Sequence, residues 1–564
     1  MTNRLTAALA VATAGALGAA MLHAQGRGGG EWTTSGFDAQ RSGWIRTDPR
    51  ISVDTMQKRG AFGSFKFLWK LKLEHDPTAA GALTEPILLD RLIGFRGFKS
   101  IAFVGTASET VHAIDTDFGV PLWKYHINYS ASPPPVVGGS AACPGGLSAA
   151  LSRPTAVAPP ATGGRGGGGG RGERSGGGVG EPGKGATTLV AAGRGRGPGP
   201  GAPDAARAPG AGATVPGSAA AAAGAVPGGL PGGARAGGPP GGGGGGGGPF
   251  VPGGDAAYVV GSDGYLHALN VSNGWDNMTP ALFLPANTRA TGLIVAAGTD
   301  GGAVAYTATT HGCGSQPDAV WAMDLASAQK TVVAFKPGGA TIAGAAGPTL
   351  GHDGTVYVAT ADGSSPLSSS VMALEPKTLK LKGSVTVPKA DFSSSPLVFQ
   401  WKDTDILVAT GGGRLLVFDA ARLQGGPIAS ASLGSANYKT GALVSWLDAQ
   451  STRWIAVPAA RGIATFKFVE QDGKVTVQPG WTSRVITSPL TPIVINGVLF
   501  AASSGTRAAP SALYAIDAAT GKDLWNSGRT MTSSVRGGLS GGQGNVYVPG
   551  SNSTLYAFGF EIEK

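Results

Sequence analysis

Six charged residues stand a few positions ahead of apolar runs in this chain: Glu85, Arg289, Asp391, Lys439, Arg484 and Arg536. Gathered at one opening, Arg289, Lys439, Arg484 and Arg536 would attract an anion. The planar fork of arginine suits a carboxylate in particular. Glu85 and Asp391 could supply oxygen ligands to Ca²⁺, although two carboxylates are few for that ion. The competing reading is of solvated loop charges that pair with one another. Cys143, in Ala142-Cys143-Pro144-Gly145, and Cys313, in Gly312-Cys313-Gly314, lie in Gly-flanked loops. In an oxidising compartment they could form a disulfide; otherwise they are two unrelated buried thiols. Other chemistries lack their motifs: there is no CxxCH for covalent haem, no HExxH, no clustered zinc ligands and no P-loop. No residue qualifies as a catalytic base. His112 and His267 alternate with apolar neighbours at one repeated position, as packing or surface residues do. Asp115, Asp324 and Asp517 recur at another, where a side chain capping turn N–H groups accounts for them.

What must position these residues is a repeat. Phe103-Val104-Gly105-Thr106 followed by Thr110–Asp115 returns near the C-terminus as Leu499-Phe500-Ala501-Ala502 followed by Ala512–Asp517. Eight copies close at residues 115, 270, 324, 375, 419, 468, 517 and 558. The spacing is 41 to 54 residues except across one Gly-rich tract. Two apolar strands per unit, divided by Gly, Ser and Asp turns, predict an all-β, eight-bladed β-propeller; seven blades plus a separate module is the rival count. Runs such as Glu85-Pro86-Ile87-Leu88 and Ser395-Pro396-Leu397-Val398 read as innermost strands. The six charges would then ring one mouth of the central channel. The last copy lacks an outer strand, while Phe67–Leu71 looks like an outer strand without a blade. Pairing them closes the ring and removes an open sheet edge.

Composition agrees. The chain has 564 residues, 96 of them Gly, with 14% charged residues and a net charge of +10. So many glycines suit tight turns and argue against a helical bundle. Residues 161–250 hold 37 of the Gly and 11 of the 39 Pro, with eight basic and three acidic residues, so half of the positive charge lies there. The remainder is only mildly basic and shows no basic face interleaved with aromatics, so no nucleic-acid partner is expected. Arg4 followed by the apolar run Leu5–Ala20 and a cut after Ala24 reads as a signal peptide rather than an N-terminal anchor. No other stretch is apolar and long enough to span a bilayer. A periplasmic or secreted, monomeric chain is expected.

Ala515-Ile516-Asp517-Ala518-Ala519-Thr520-Gly521-Lys522-Asp523-Leu524-Trp525 resembles the repeat of pyrroloquinoline-quinone (PQQ) proteins. In that family the turn Gly and outer-strand Trp dock neighbouring blades. Gly119/Trp123 and Gly521/Trp525 match; Gly274/Trp275 departs in spacing. Trp32 followed by Gly36-Phe37-Asp38-Ala39-Gln40-Arg41-Ser42-Gly43 also looks like the lead-in of such proteins. The resemblance covers nearly all of the mature chain outside the Gly-rich tract and implies the quinoprotein propeller. It leaves two functions open, since non-catalytic relatives, outer-membrane assembly lipoproteins among them, carry the same repeat. One is a binding or scaffolding protein of the cell envelope with a protein or glycan partner. The other is a PQQ-dependent alcohol or sugar dehydrogenase, in which PQQ with Ca²⁺ would sit near the axis, close to the six charges. No adjacent Cys-Cys pair matches the disulfide that stacks on the quinone in the better-known alcohol dehydrogenases. No motif places the family's Ca²⁺-ligating Glu/Asn set or its catalytic Asp, and no haem domain is attached.

The expected organisation is a signal peptide over 1–24, the start of the propeller over 25–154, a disordered Gly/Pro/Ala/Arg-rich insertion over 155–253, and blades 2 to 8 over 254–564. The insertion would interrupt blade 2 between an inner strand near Pro133–Val137 and the strand at Ala257–Val260. A long surface loop adds little closure entropy, so the ring should tolerate it. Limited proteolysis should therefore cut only within 155–253 and leave a folded, nicked core; release of two independently folded pieces would contradict this organisation.

Overall fold

The structure, a computed structural model, describes residues 31–57, 63–74, 82–94, 97–127, 142–157, 255–298, 302–435, 438–506 and 509–561. The expected signal peptide over 1–24 lies outside them. Among the described residues nearly all regular structure is β-strand, with one short α-helix, Val53–Gln57. The strands form eight sheets arranged as the blades of a propeller. Blade 1 shows the plan: Ile87–Gly94, Gly97–Gly105, Thr110–Asp115 and Val120–His126 follow one another antiparallel from the axis outwards. Second strands such as Ala256–Val260 and Asn545–Pro549 are buried throughout. A neighbouring blade covers each face, so they read as unbroken apolar runs rather than alternating ones. Outer strands such as Val120–His126 and Pro427–Ser432 are half exposed and carry the polar residues.

The ring closes as the orphan strand required. Lys66–Lys72 pairs antiparallel with Thr554–Gly559, setting Phe67 opposite Phe558 and Lys70 opposite Tyr556. It is thus the outer strand of blade 8, whose other strands, Ser540–Gly542, Asn545–Pro549 and Thr554–Gly559, end the chain.

Blade 2 departs from expectation. Pro133–Val137 lies outside the described residues, and the inner position beside Ala256–Val260 is held by Ser152 instead. The Ser152 N–H donates to Tyr258 O at 2.9 Å and the Tyr258 N–H to Ser152 O at 2.7 Å. The chain then crosses to blade 3, where Pro154–Ala156 runs parallel to Arg289–Ala297. Thr155 and Ala156, placed in the insertion by sequence, belong to this strand because its backbone has an inner edge to pair with. Residues 158–254 lie outside the described ones.

Tryptophans dock the blades with a handedness that the repeat alone does not reveal. Trp123 of blade 1 lies on Gly274 of blade 2, where an added Cβ would come within 2.6 Å of the indole. Its Nε1–H donates to Val271 O at 2.9 Å. Trp481 of blade 6 meets Gly521 of blade 7 in the same way and donates to Ala518 O at 3.0 Å. Trp69, on the closing strand, covers Gly119 of blade 1 and donates to Thr116 O at 3.1 Å. Each indole therefore docks on the following blade's glycine, while Trp275, next to Gly274, is 74% exposed. Trp123→Ala should cost about 3 kcal/mol in urea unfolding. Trp275→Ala should change stability by less than about 0.5 kcal/mol.

Candidate functional site

The centre of the ring is organised by the N-terminal segment. Carbonyl oxygens of Trp32, Thr33, Ala39, Gln40, Ser42 and Gly43 accept from the N–H groups of Leu88, Arg153, Leu350, Val398, Ser445 and Val494, at 2.7–3.1 Å. Those donors belong in turn to blade 1, the strand crossing from blade 2 to 3, and blades 4, 5, 6 and 7. Thr34 Oγ1 donates to Leu293 O of blade 3 at 2.6 Å. Trp44–Ile45 then runs parallel to Ile493–Ile495 of blade 7, and Asp48 Oδ2 accepts from Gly544 N of blade 8 at 3.0 Å. Seventeen residues thus visit every blade in order. Innermost strands have one unpaired backbone edge, and this segment satisfies part of it.

Arg41 anchors the segment. Arg41 is 2% exposed; its Nε donates to Pro348 O at 3.1 Å, Nη2 to Gly292 O at 2.9 Å, and Nη1 to Thr34 Oγ1 at 3.0 Å and to Ser35 O. Burial lowers its pKa to about 10, and the charges of Glu85 and Asp38 oppose that shift. Glu85 accepts from Trp32 Nε1–H at 2.9 Å, Ser35 Oγ at 2.7 Å and Gly36 N–H at 2.8 Å. Asp38 accepts from Ser42 N–H at 2.9 Å and Ser42 Oγ at 2.6 Å. Burial raises the pKa of both carboxyls. Glu85 is therefore part of the core that holds the N-terminal segment.

Of the other five charges, two pair with each other. Asp391 meets Lys439 at 3.0 Å and accepts the Asp362 N–H at 3.1 Å. Arg484 is paired with Asp523 at 3.0 Å and stands over the Tyr514 ring. Arg289 donates to Ala142 O at 2.9 Å, and Arg536 is exposed. The lead-in loops of blades 4, 5 and 6 meet directly: Ala345 N–H and Ser395 N–H both donate to Gly441 O at 3.1 Å. Cys143 and Cys313 are joined in a disulfide with Cα atoms 5.6 Å apart, bridging 170 residues. It ties the approach to blade 2 onto blade 3, beside the Arg289 contact. Asp115, Asp324 and Asp517 accept from the N–H groups of Asp117, Ala326 and Ala519 at 2.9–3.1 Å, as turn caps do. His112 and His267 are buried, and burial lowers the His112 pKa to about 4.

Sequence reasoning passed over Glu109. Just before the third strand of blade 1, it occupies the left-handed position that Gly264 and Gly413 hold in blades 2 and 5, with φ of 59°. A glutamate where the repeat wants glycine was the available signal. Its carboxylate accepts the Ser262 N–H at 3.2 Å. Burial, reinforced by the charge of Asp263, pushes its pKa up to about 7.

An all-β ring of eight antiparallel blades, docked by Trp on Gly and laced by the N-terminal segment, defines the class: a propeller of the quinoprotein type. The model of the family described as outer membrane protein assembly factor BamB, a PQQ-repeat family, matches residues 219–527, and the chain belongs to that family. Among solved structures, quinohemoprotein alcohol dehydrogenase from Comamonas testosteroni is 14% identical with a TM-score of 0.50, covering 95% of this chain and 81% of that one. A europium-containing methanol dehydrogenase is 12% identical with a TM-score of 0.51, covering 94% and 98%. These likenesses are of fold. No curated protein matches the chain in sequence.

Two measurements probe this core. Arg41→Ala leaves Glu85 and Asp38 without their buried cation and should destabilise the fold by about 3–5 kcal/mol in denaturant unfolding. Glu109, with its folded pKa raised from 4.5 to about 7, holds its proton more tightly in the folded state. Stability is then fully present below pH 4.5 and falls as pH rises towards about 7. Glu109→Gln should remove that fall, raising Tm above wild type at pH 8 but not at pH 4.

Proposed function

We propose that this protein is a non-catalytic binding or scaffolding propeller of the cell envelope, acting in the periplasm or after secretion on a protein or glycan partner. The observation that carries this reading is the state of the charges around the axis. Glu85 is saturated by three donors of the N-terminal segment, and Asp391 is engaged by Lys439 and a backbone N–H. Among the described residues no three His, Cys, Asp or Glu side chains are grouped as a metal would need. The carboxylates expected to ligate Ca²⁺ are engaged by the protein's own groups, and two of the expected basic residues, Lys439 and Arg484, are paired with Asp391 and Asp523, which weighs against a quinone with Ca²⁺. Membership of a family described as an outer membrane assembly factor supports the same reading. No helix among the described residues is long and apolar enough to cross a membrane.

The deciding experiment adds PQQ and Ca²⁺ to purified protein, following binding by calorimetry and dye reduction with alcohols and sugars. No stoichiometric binding and no turnover are expected, while a pull-down should recover envelope proteins. Tight binding with substrate-dependent dye reduction would replace this reading with the quinone-dependent dehydrogenase.

A further inference from the structure

Blade 6 carries a charge where four other blades carry an aliphatic side chain. The residue of the second strand that lies opposite the closing position of the repeat is Ile101 in blade 1, Val304 in blade 3, Ile406 in blade 5 and Val498 in blade 7, all buried. In blade 6 it is Arg453, opposite Phe468, and it too is buried, with 7% of its surface exposed. A guanidinium there loses hydration that apolar neighbours cannot restore, so the position calls for a compensating group.

The protein's own groups supply little of that compensation. The guanidinium stands over the Phe399 ring at 4.8 Å and the Trp44 ring at 5.6 Å. Those faces attract its charge but take none of its in-plane N–H bonds. Nε is enclosed without a hydrogen-bond partner. Among the described residues Nη1 and Nη2 have no acceptor either, and they are not enclosed as Nε is. Burial lowers the Arg453 pKa to about 9, and the charge of Arg46 lowers it further. Arg46, exposed, stands over the same Trp44 ring at 4.8 Å. Two guanidiniums thus share one ring, and no described carboxylate pairs with Arg453. The place is distinct from the six charges: Leu447, opposite Arg453, ends the inner strand Val444–Leu447, whose other end follows Lys439.

We propose that Arg453, with Arg46 beside it, forms an oxyanion site that takes a carboxylate or phosphate group. The paired Nη groups match two oxygens of such a group. The rings hold the fork in place, and the second guanidinium adds attraction. A spherical anion such as chloride cannot bridge the fork in that way. The site needs neither PQQ nor Ca²⁺, uses none of the six charges and stands apart from the envelope role.

Phosphate, acetate and chloride are the probes, titrated at pH 7 and matched ionic strength into the full chain and followed by calorimetry and thermal unfolding. Phosphate or acetate should bind one per chain, at least about tenfold more tightly than chloride, and raise Tm. The tighter of the two identifies the kind of group the site takes. Arg453→Lys, which keeps the charge without the fork, should weaken that binding at least about tenfold, and Arg46→Gln several-fold. Arg453→Met should unfold in chloride at a Tm no lower than wild type and show no response to either oxyanion, because an apolar side chain suits this position in the other blades. Failure of both oxyanions to exceed chloride, or binding unchanged in Arg453→Lys, would overturn the proposal. The wild-type comparison of the three anions decides the matter even if the Arg453 variants fail to fold.

Discussion

Everything in this protein depends on two chain ends meeting. Blade 8 takes three strands from the C-terminus and its fourth, Lys66–Lys72, from the beginning of the chain. Without that pairing the Thr554–Gly559 strand would expose an unpaired edge, and Trp69 would not reach Gly119. The pairing is local in space but spans nearly the whole sequence, so the ring can form only once the last blade exists. The lacing of residues 32–48 through the inner strands depends on the same event, because its hydrogen bonds reach blades all around the ring.

That dependence explains how the fold accommodates a long, Gly-rich tract. Residues 158–254 leave after Pro154–Ala156 and return at Ala256–Val260. On either side the backbone is secured: Ser152 bonds Tyr258, and Cys143 is tied to Cys313. Among the described residues blade 2 has three strands, yet Trp123 docks on it from blade 1. The fixed points surround the interruption, so the register of neighbouring blades does not rely on it.

Arg41, Glu85 and Asp38 form a buried, mutually compensating group whose hydrogen bonds hold the N-terminal segment and tie it, through Gly292 O and Pro348 O, to blades 3 and 4. A buried cation and carboxylates are stable only when so matched.

The repeat was legible in the sequence because each blade obeys the same local rule: two apolar strands, a turn Gly or Asp, and an outer strand with polar residues. The orphan strand at Phe67–Leu71 and the turn-capping Asp115, Asp324 and Asp517 were legible for the same reason. The direction of Trp docking was not, since Gly521/Trp525 are neighbours in sequence while Gly521 receives Trp481 in space. Nor was the convergence of Trp32, Ser35 and Gly36 on Glu85, because a charge ahead of an inner strand looks alike whether it faces solvent or a threaded segment. Periodicity in the chain by itself determined the number of blades and the means of closure. Only tertiary structure decided which charges were spent, because that is settled by which distant backbone atoms lie within hydrogen-bonding reach.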